Sequence, residues 1–445
     1  MAADSPDDVQ NFLQNLEMNE ERYLTLLSKL IGEAEQLQNN PQQGLIPQEK
    51  LAADHLLGLL EPHSKEHGGP LIVELIEFTP GRSNLIVKYP GTGDATCAFV
   101  GSHMDVVPAN PETWDRNPFE LTREGDMLYG RGTTDCLGHV ALITELLLKI
   151  AERKPALKRT LVVVFIANEE NGSIVGIGVD GLMKAGALEQ IKKGPLFWVD
   201  CADSQPCLGT CGMVCWKLKV HGRLFHSGMP HKAVNPIELG TVALQNILKR
   251  FYADFPTHPE EAKYNYVVSS SMKPTQMECA RGSLNQIPPH ATFSGDIRLV
   301  PFYEIKDVKA KVESYVADLN ANISSLPSLG PASGYVVSSE DPPIQGKLEL
   351  EWIGEGENGI AVKLGTDGNQ ALTQATEDVL GSVIPYSITG SLPLVRYLQD
   401  NDFDVQLVGY GKSSKYHADN EAADLKDFKQ AIKILARVMA RLEMA

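Results

Sequence analysis

Residues 161–167 form an unbroken apolar run, Leu-Val-Val-Val-Phe-Ile-Ala. A run so rich in β-branched residues predicts a strand buried on both faces, as in a parallel sheet. Shorter apolar stretches predict further strands at 71–77, 84–88, 97–101, 195–199 and 404–409. Around them the apolar positions recur at helical spacing. Tyr23, Leu24, Leu27, Leu30 and Ile31 mark a helix over 20–36, and Leu142, Ile143, Leu146, Leu147 and Ile150 mark one over 139–150. Two more helices are expected over 48–60 and 425–444. Alternating strands and helices predict an α/β fold, a mixed, mostly parallel sheet flanked by helices.

The pattern changes between 213 and 364. Residues 216–220 and 291–298 alternate apolar and polar, as half-solvated antiparallel strands do. Helical spacing returns over 236–252 and 303–320, and the Ser, Pro and Gly content of 325–345 predicts a surface loop. The order strand-helix-strand-strand-helix-strand describes an inserted α+β domain of the split βαβ, ferredoxin-like kind. The expected division is therefore 1–212 with 365–445 as one domain and 213–364 as the other.

Length supports two domains, since 445 residues exceed what one core usually holds. A formal net charge of −17 offers no basic stripe for phosphates, which argues against a nucleic-acid partner. No apolar run approaches the ~18 residues that a membrane span requires. The acidic start, with Asp4, Asp7, Asp8, Glu17, Glu20 and Glu21, is unlike a secretory or transit segment, and seven scattered Cys suit a reducing compartment. A cytoplasmic protein is expected. Cys207, Cys211 and Cys215 lack a second pair at zinc-site spacing and are read as ordinary thiols.

The candidate chemistry lies where strands end. His103 and Asp105 follow the 97–101 strand, Glu169 and Glu170 follow 161–167, and Asp200 follows 195–199. His417 comes a short loop after 404–409, and Asp135 follows a Gly-Arg-Gly turn. Ligands of open α/β sheets gather at the carboxyl ends of strands. Taken singly, each residue is more often structural: a lone His is usually a hydrogen-bonded one, and paired glutamates usually form a solvated turn. Together, two His, two Asp and one Glu make a nitrogen and oxygen donor set suited to two divalent ions sharing a carboxylate. Glu169 remains over as a base. Two adjacent carboxylates closing an uncharged strand also require something positive nearby.

Five motifs then carry a resemblance. They are Ser102-His103-Met104-Asp105-Val106-Val107-Pro108, Gly130-Arg131-Gly132-Thr133-Thr134-Asp135, Asn168-Glu169-Glu170, Phe225-His226-Ser227-Gly228-Met229-Pro230 and His417-Ala418-Asp419-Asn420-Glu421. The chain resembles the metallopeptidase M20 family of amidohydrolases from end to end. The resemblance implies a zinc-exopeptidase-like catalytic domain and a lid domain through which two copies dimerise. It implies Asp135 as a bridge between two ions, Zn2+ or Co2+, with His103 and Asp200 on one and Glu170 and His417 on the other. Asp203 rivals Asp200, but Asp200 sits twelve residues before Gly212 with Gln205-Pro206 between, as the family's ligand does.

Further roles come from the same likeness. Asp105 would orient the second nitrogen of His103, and Glu169 would take a proton from the attacking water and pass it to the leaving amine. His226 would stabilise the oxyanion, reaching a neighbouring subunit's site or swinging in on lid closure. Asn285 and Arg298 would hold a substrate carboxylate, and Gly390 and Ser391 would meet the substrate. The sequence departs from the family pattern at Cys136, at Asn168, where Asp is more usual, and at Asp200, where Glu is common. The implied substrate is a small N-acyl amino acid, N2-acetyl-L-ornithine being expected. Dipeptides and other N-acyl amino acids remain open, as does a non-catalytic binding protein of the same fold.

Overall fold

The computed structural model describes residues 5–330, 334–392 and 394–444. Residues 331–333 of the expected loop, Pro393 of the Gly390 motif and the first four residues of the acidic start lie outside them. The described chain divides into two compact units, 1–208 with 362–386 and 393–445, and 209–361 with 387–392.

The first unit is built on an eight-stranded sheet. Its first six strands, in spatial order, are Ile72–Thr79, Arg82–Tyr89, Thr160–Ile166, Thr96–His103, Pro195–Cys201 and Asp404–Gly409. The last four of these run parallel to one another, and the first two pair antiparallel at the edge. Thr160–Ile166 sits inside the sheet, and Leu161 to Ile166 are all buried, which is why the sequence shows no polar alternation there. The helices Glu20–Glu33, Glu49–Leu60, Leu137–Arg153, Asp367–Leu380 and Leu425–Met444 flank it. Leu137–Arg153 is buried along nearly its whole length, whereas Leu425–Met444 keeps one polar face (Lys426, Lys429 and Lys433), all three half-buried or exposed.

The second unit carries a four-stranded antiparallel sheet in the order Ser271–Cys279, His290–Leu299, Gly212–His221, Lys347–Glu357. With the helices Pro236–Asp254 and Ile305–Ala321 this is the ferredoxin-like arrangement. Trp216, Leu218, Val220, Ile247, Phe251, Ile297, Val308 and Val312 lie in its core. The ends of the segment are tied: the Val362 amide donates to the Leu208 carbonyl, and the Thr210 amide donates to the Ile360 carbonyl, both at 2.9 Å.

Several elements exceed what the apolar pattern expresses. Pro6–Gln14 is a helix closed by a capping box between Ser5 and Asp8, so Asp8 of the acidic start is helix-cap chemistry. Ser271–Cys279 is an edge strand exposed from Lys273 onward, and an edge in water has no need to alternate. Within 325–345, Val336–Val337 pairs with Ile344–Gln345, a two-residue ladder too short for periodicity to register. Phe165 is fully buried in the inner strand. Phe165→Ala is expected to lower stability by about 3–5 kcal/mol, read as a shifted urea midpoint in the metal-free protein.

Candidate metal centre

The strand Thr96–His103 ends in His103 because seven buried residues precede it and bring it to the sheet's carboxyl edge. Thr160–Ile166 and Pro195–Cys201 run parallel to it, so Glu169, Glu170 and Asp200 arrive at the same edge. The loop 130–135 and the loop after Asp404–Gly409 supply Asp135 and His417. The structure brings all of these together.

Asp135 sits in the middle. Its Oδ1 lies 3.0 Å from His103 Nε2 and its Oδ2 lies 3.1 Å from His417 Nε2. Asp200 Oδ1 is 3.3 Å from the same nitrogen of His103, and Glu170 Oε2 is 3.2 Å from that of His417. Glu169 Oε2 stands 3.9 Å from His103 Nε2. Two clusters therefore share one carboxylate. Cys136, next to Asp135, joins His103 and Asp200 in a group whose ligand atoms all lie within 4.8 Å of one another. Its thiol also contacts His139 Nδ1 at 3.3 Å, and sequence spacing gave no sign of this.

The charges do not balance by themselves. Four carboxylates, Asp135, Glu169, Glu170 and Asp200, face two imidazoles, so even with both rings protonated the cluster would hold −2. Without a cation, protons must make up the difference. Burial pushes Glu169 well above the ordinary carboxylate range, helped by Asp200. Burial and the nearby Asp135 push Glu170 up to about 7. Burial acts on Asp135 too, but hydrogen bonds from His103 and His417 outweigh it and hold that carboxyl below its usual value. Hydrogen bonds to Asp135 and Glu170 push His417 up to about 11. Glu170 Oε1 and Asp200 Oδ1 are buried without a hydrogen-bond partner. A hard or borderline cation on each side meets all of these conditions, so the residues fit a pair of divalent ions.

Asp105 behaves differently from the expectation. His103 Nδ1 meets the backbone carbonyl of Asp105 at 2.9 Å, while the carboxylate stands 3.5 Å away. The carboxylate is instead occupied by donors. Its Oδ1 accepts the Glu169 amide at 3.0 Å, and its Oδ2 accepts the Glu170 amide at 3.1 Å and Asn39 Nδ2 at 2.8 Å. The imidazole is oriented by the carbonyl, and the carboxylate fixes the turn that carries the two glutamates. Behind that turn, Asn168 at φ 60° accepts from Asn39 and Arg82, and Arg82 forms a two-bond pair with buried Glu49.

The remaining expected residues belong to the second unit. His226 is exposed and pairs in a short ladder with Gln286, next to Asn285, whose carbonyl accepts the Ser227 amide at 2.9 Å. Arg298 donates from Nε to Asp296 at 2.7 Å. The Gly390 carbonyl accepts the Cys211 amide at 3.0 Å. Asp203, the rival to Asp200, is engaged with Ser413.

Comparisons with known proteins agree on the class. The model of peptidase family M20/M25/M40 matches residues 99–441. An acetylornithine deacetylase from Dictyostelium discoideum is 52% identical over 438 residues, covering 96% of this chain and 98% of its own. An acetylornithine deacetylase from Arabidopsis thaliana is 51% identical over 428 residues, covering 96% of each. Among solved structures, the di-peptidase Dug1p of Saccharomyces cerevisiae aligns over 99% of each chain with a TM-score of 0.68 at 18% identity, a likeness of fold.

Asp105→Asn retains one acceptor but turns an amide group toward backbone donors. It is expected to destabilise the metal-free protein by about 1–3 kcal/mol, measured by urea unfolding, with stability unchanged arguing against the clamp.

Proposed function

This chain belongs to peptidase family M20/M25/M40, and from that premise we propose that it removes the acetyl group from N2-acetyl-L-ornithine, giving L-ornithine and acetate. It is a metal-dependent amide hydrolase. The observation that carries the chemistry is Asp135, with one carboxylate oxygen turned to each histidine. The choice of substrate is supported by the two near-full-length relatives, each an acetylornithine deacetylase.

In this reading His103 and Asp200 would hold one divalent ion, Glu170 and His417 would hold another, and Asp135 would be shared between them; zinc or cobalt would suit the donors. Such ions supply Lewis-acid polarisation of the acyl carbonyl and a more acidic water. The residues do the rest. Glu169 reaches the cluster from a clamped turn and is raised by burial, which suits a group that takes a proton from the attacking water and returns it to the departing amine. His226 Nδ1 accepts the Gly228 amide at 3.0 Å. That bond leaves the ring proton on Nε2, the tautomer an oxyanion donor needs. Asn285 and Arg298 are proposed to bind the substrate carboxylate, and Gly390 and Ser391 to line its path.

The protein is proposed to act as a homodimer through the second unit, in the cytoplasm. The exposed edge Ser271–Cys279, with Met277 57% exposed, supports the dimer, since an unpaired strand edge is a ready surface for a second copy. No described helix is long and apolar enough to cross a membrane.

A panel of N-acyl amino acids and dipeptides, assayed with metal-replete protein, tests the substrate. Acetylornithine should give the highest kcat/KM, and preference for a dipeptide would overturn the assignment. Glu169→Gln should retain metal and fold but lower kcat by at least ~10²-fold. Asp135→Ala should lose both ions together, whereas Glu170→Ala should weaken mainly one; two ions per chain in purified Asp135→Ala would exclude a bridge. Mixing inactive His226→Ala with inactive Glu169→Gln should restore part of the activity if His226 acts across subunits. No recovery in dimers shown to exchange would leave lid closure within one chain.

A further inference from the structure

We propose that Glu421 is a positioning residue that sets Asp135 and His417 toward one shared ion. The inference rests on the metal-centre reading above. Glu421 is fully buried. Its Oε1 accepts the amides of Thr134 at 2.8 Å and Asp135 at 3.0 Å. Its Oε2 accepts the Gly132 amide at 3.1 Å and Arg131 Nη1 at 2.7 Å. Four donors fill the lone pairs of a carboxylate, which has about four acceptor sites.

Three of those donors are backbone amides of one short loop. Gly130 and Gly132 have positive φ, and the loop's amides converge on a single point, a nest for an anion. The chain fills that nest with its own carboxylate, delivered from 286 residues away in sequence. The delivery is anchored, because Ala422 pairs with Tyr129 immediately before the loop.

The consequence differs between the two sides of the cluster. His103 and Asp200 are placed by strands of the sheet, and each has its own support: His103 from the Asp105 carbonyl, Asp200 from Trp198 Nε1 at 3.3 Å. On the other side, His417 lies four residues before Glu421 in the same loop, and the Asp135 amide is bonded to Glu421 directly. Only Glu170 is held independently there, by Asp105. Loss of Glu421 should therefore loosen two of the three ligands on the His417 side and only the bridge on the other.

Glu421→Gln tests this, since one amide cannot accept from both pairs of donors. Metal-free protein is titrated with Zn2+, with bound ions counted after gel filtration and affinities read by calorimetry. The wild-type chain should take two ions. Glu421→Gln should take one at near wild-type affinity and bind the second ~10–100-fold more weakly, the usual scale for an outer-shell partner, with far-UV circular dichroism unchanged. Two ions at wild-type affinity, or equal weakening of both, would overturn the proposal. If Glu421→Gln does not fold, Glu421→Asp, which keeps a charge against Arg131, is read by the same criteria. Failure of both to fold would overturn it by making Glu421 a requirement of the fold. Fewer than two ions on the wild-type chain would instead refute the dinuclear reading itself.

Discussion

Four buried carboxylates packed against two imidazoles, buried His103 and exposed His417, form an anionic knot at the sheet's carboxyl edge that protein groups alone leave unbalanced. A small set of buried residues around it holds that knot shut. Repulsion between like charges in a low-dielectric setting would drive the side chains apart. Each is therefore tied from behind. Strands fix His103 and Asp200, the Asp105 carboxylate grips the turn of Glu169 and Glu170, and buried Glu421 grips the loop of Asp135.

The carboxylates that tie or back these turns are buried, so each needs its own compensation, which Asp105 finds in two backbone amides and Asn39. Glu421 has Arg131, and Glu49 has Arg82. Breaking one member of such a pair leaves an uncompensated charge, which is far costlier than removing a surface ion pair. Arg82 also reaches Asn168, and Asn39 joins Asn168 to Asp105. Asn168 donates from Nδ2 to the carbonyls of Asn171 and Ile174 while its Oδ1 accepts, a pair of roles that only an amide fills. That accounts for the departure from Asp at this position.

Much of the architecture could be read from the chain because burial on both faces leaves an unmistakable mark, as in Leu161 to Ala167. Strand ends then pointed to His103, Glu169, Glu170 and Asp200. What stayed hidden depended on single atoms or long separations. Whether His103 meets the carbonyl of Asp105, at 2.9 Å, or its carboxylate, at 3.5 Å, is a matter of a few atoms within one residue and leaves no trace in the sequence. Asn39 and Arg82 sit far from their partners in sequence, without a motif around them. Glu421 stood inside a recognised motif, yet its partners lie near residue 132. The edge strand Ser271–Cys279 faces water and so lacks the alternation that betrays Gly212–His221.

Two hydrogen bonds close the chain at Leu208 with Val362 and at Thr210 with Ile360, so the 209–361 excursion begins and ends at one place. Loop-closure entropy grows only slowly with length, and the ends here are already joined. By that scaling, closing about 150 residues costs only about 3 kcal/mol more than closing a tight turn. Loops within the segment can therefore change length at small cost to the strands that carry His103 and Asp200, while the stretches proposed to meet substrate, around His226, Asn285 and Arg298, are not free to drift.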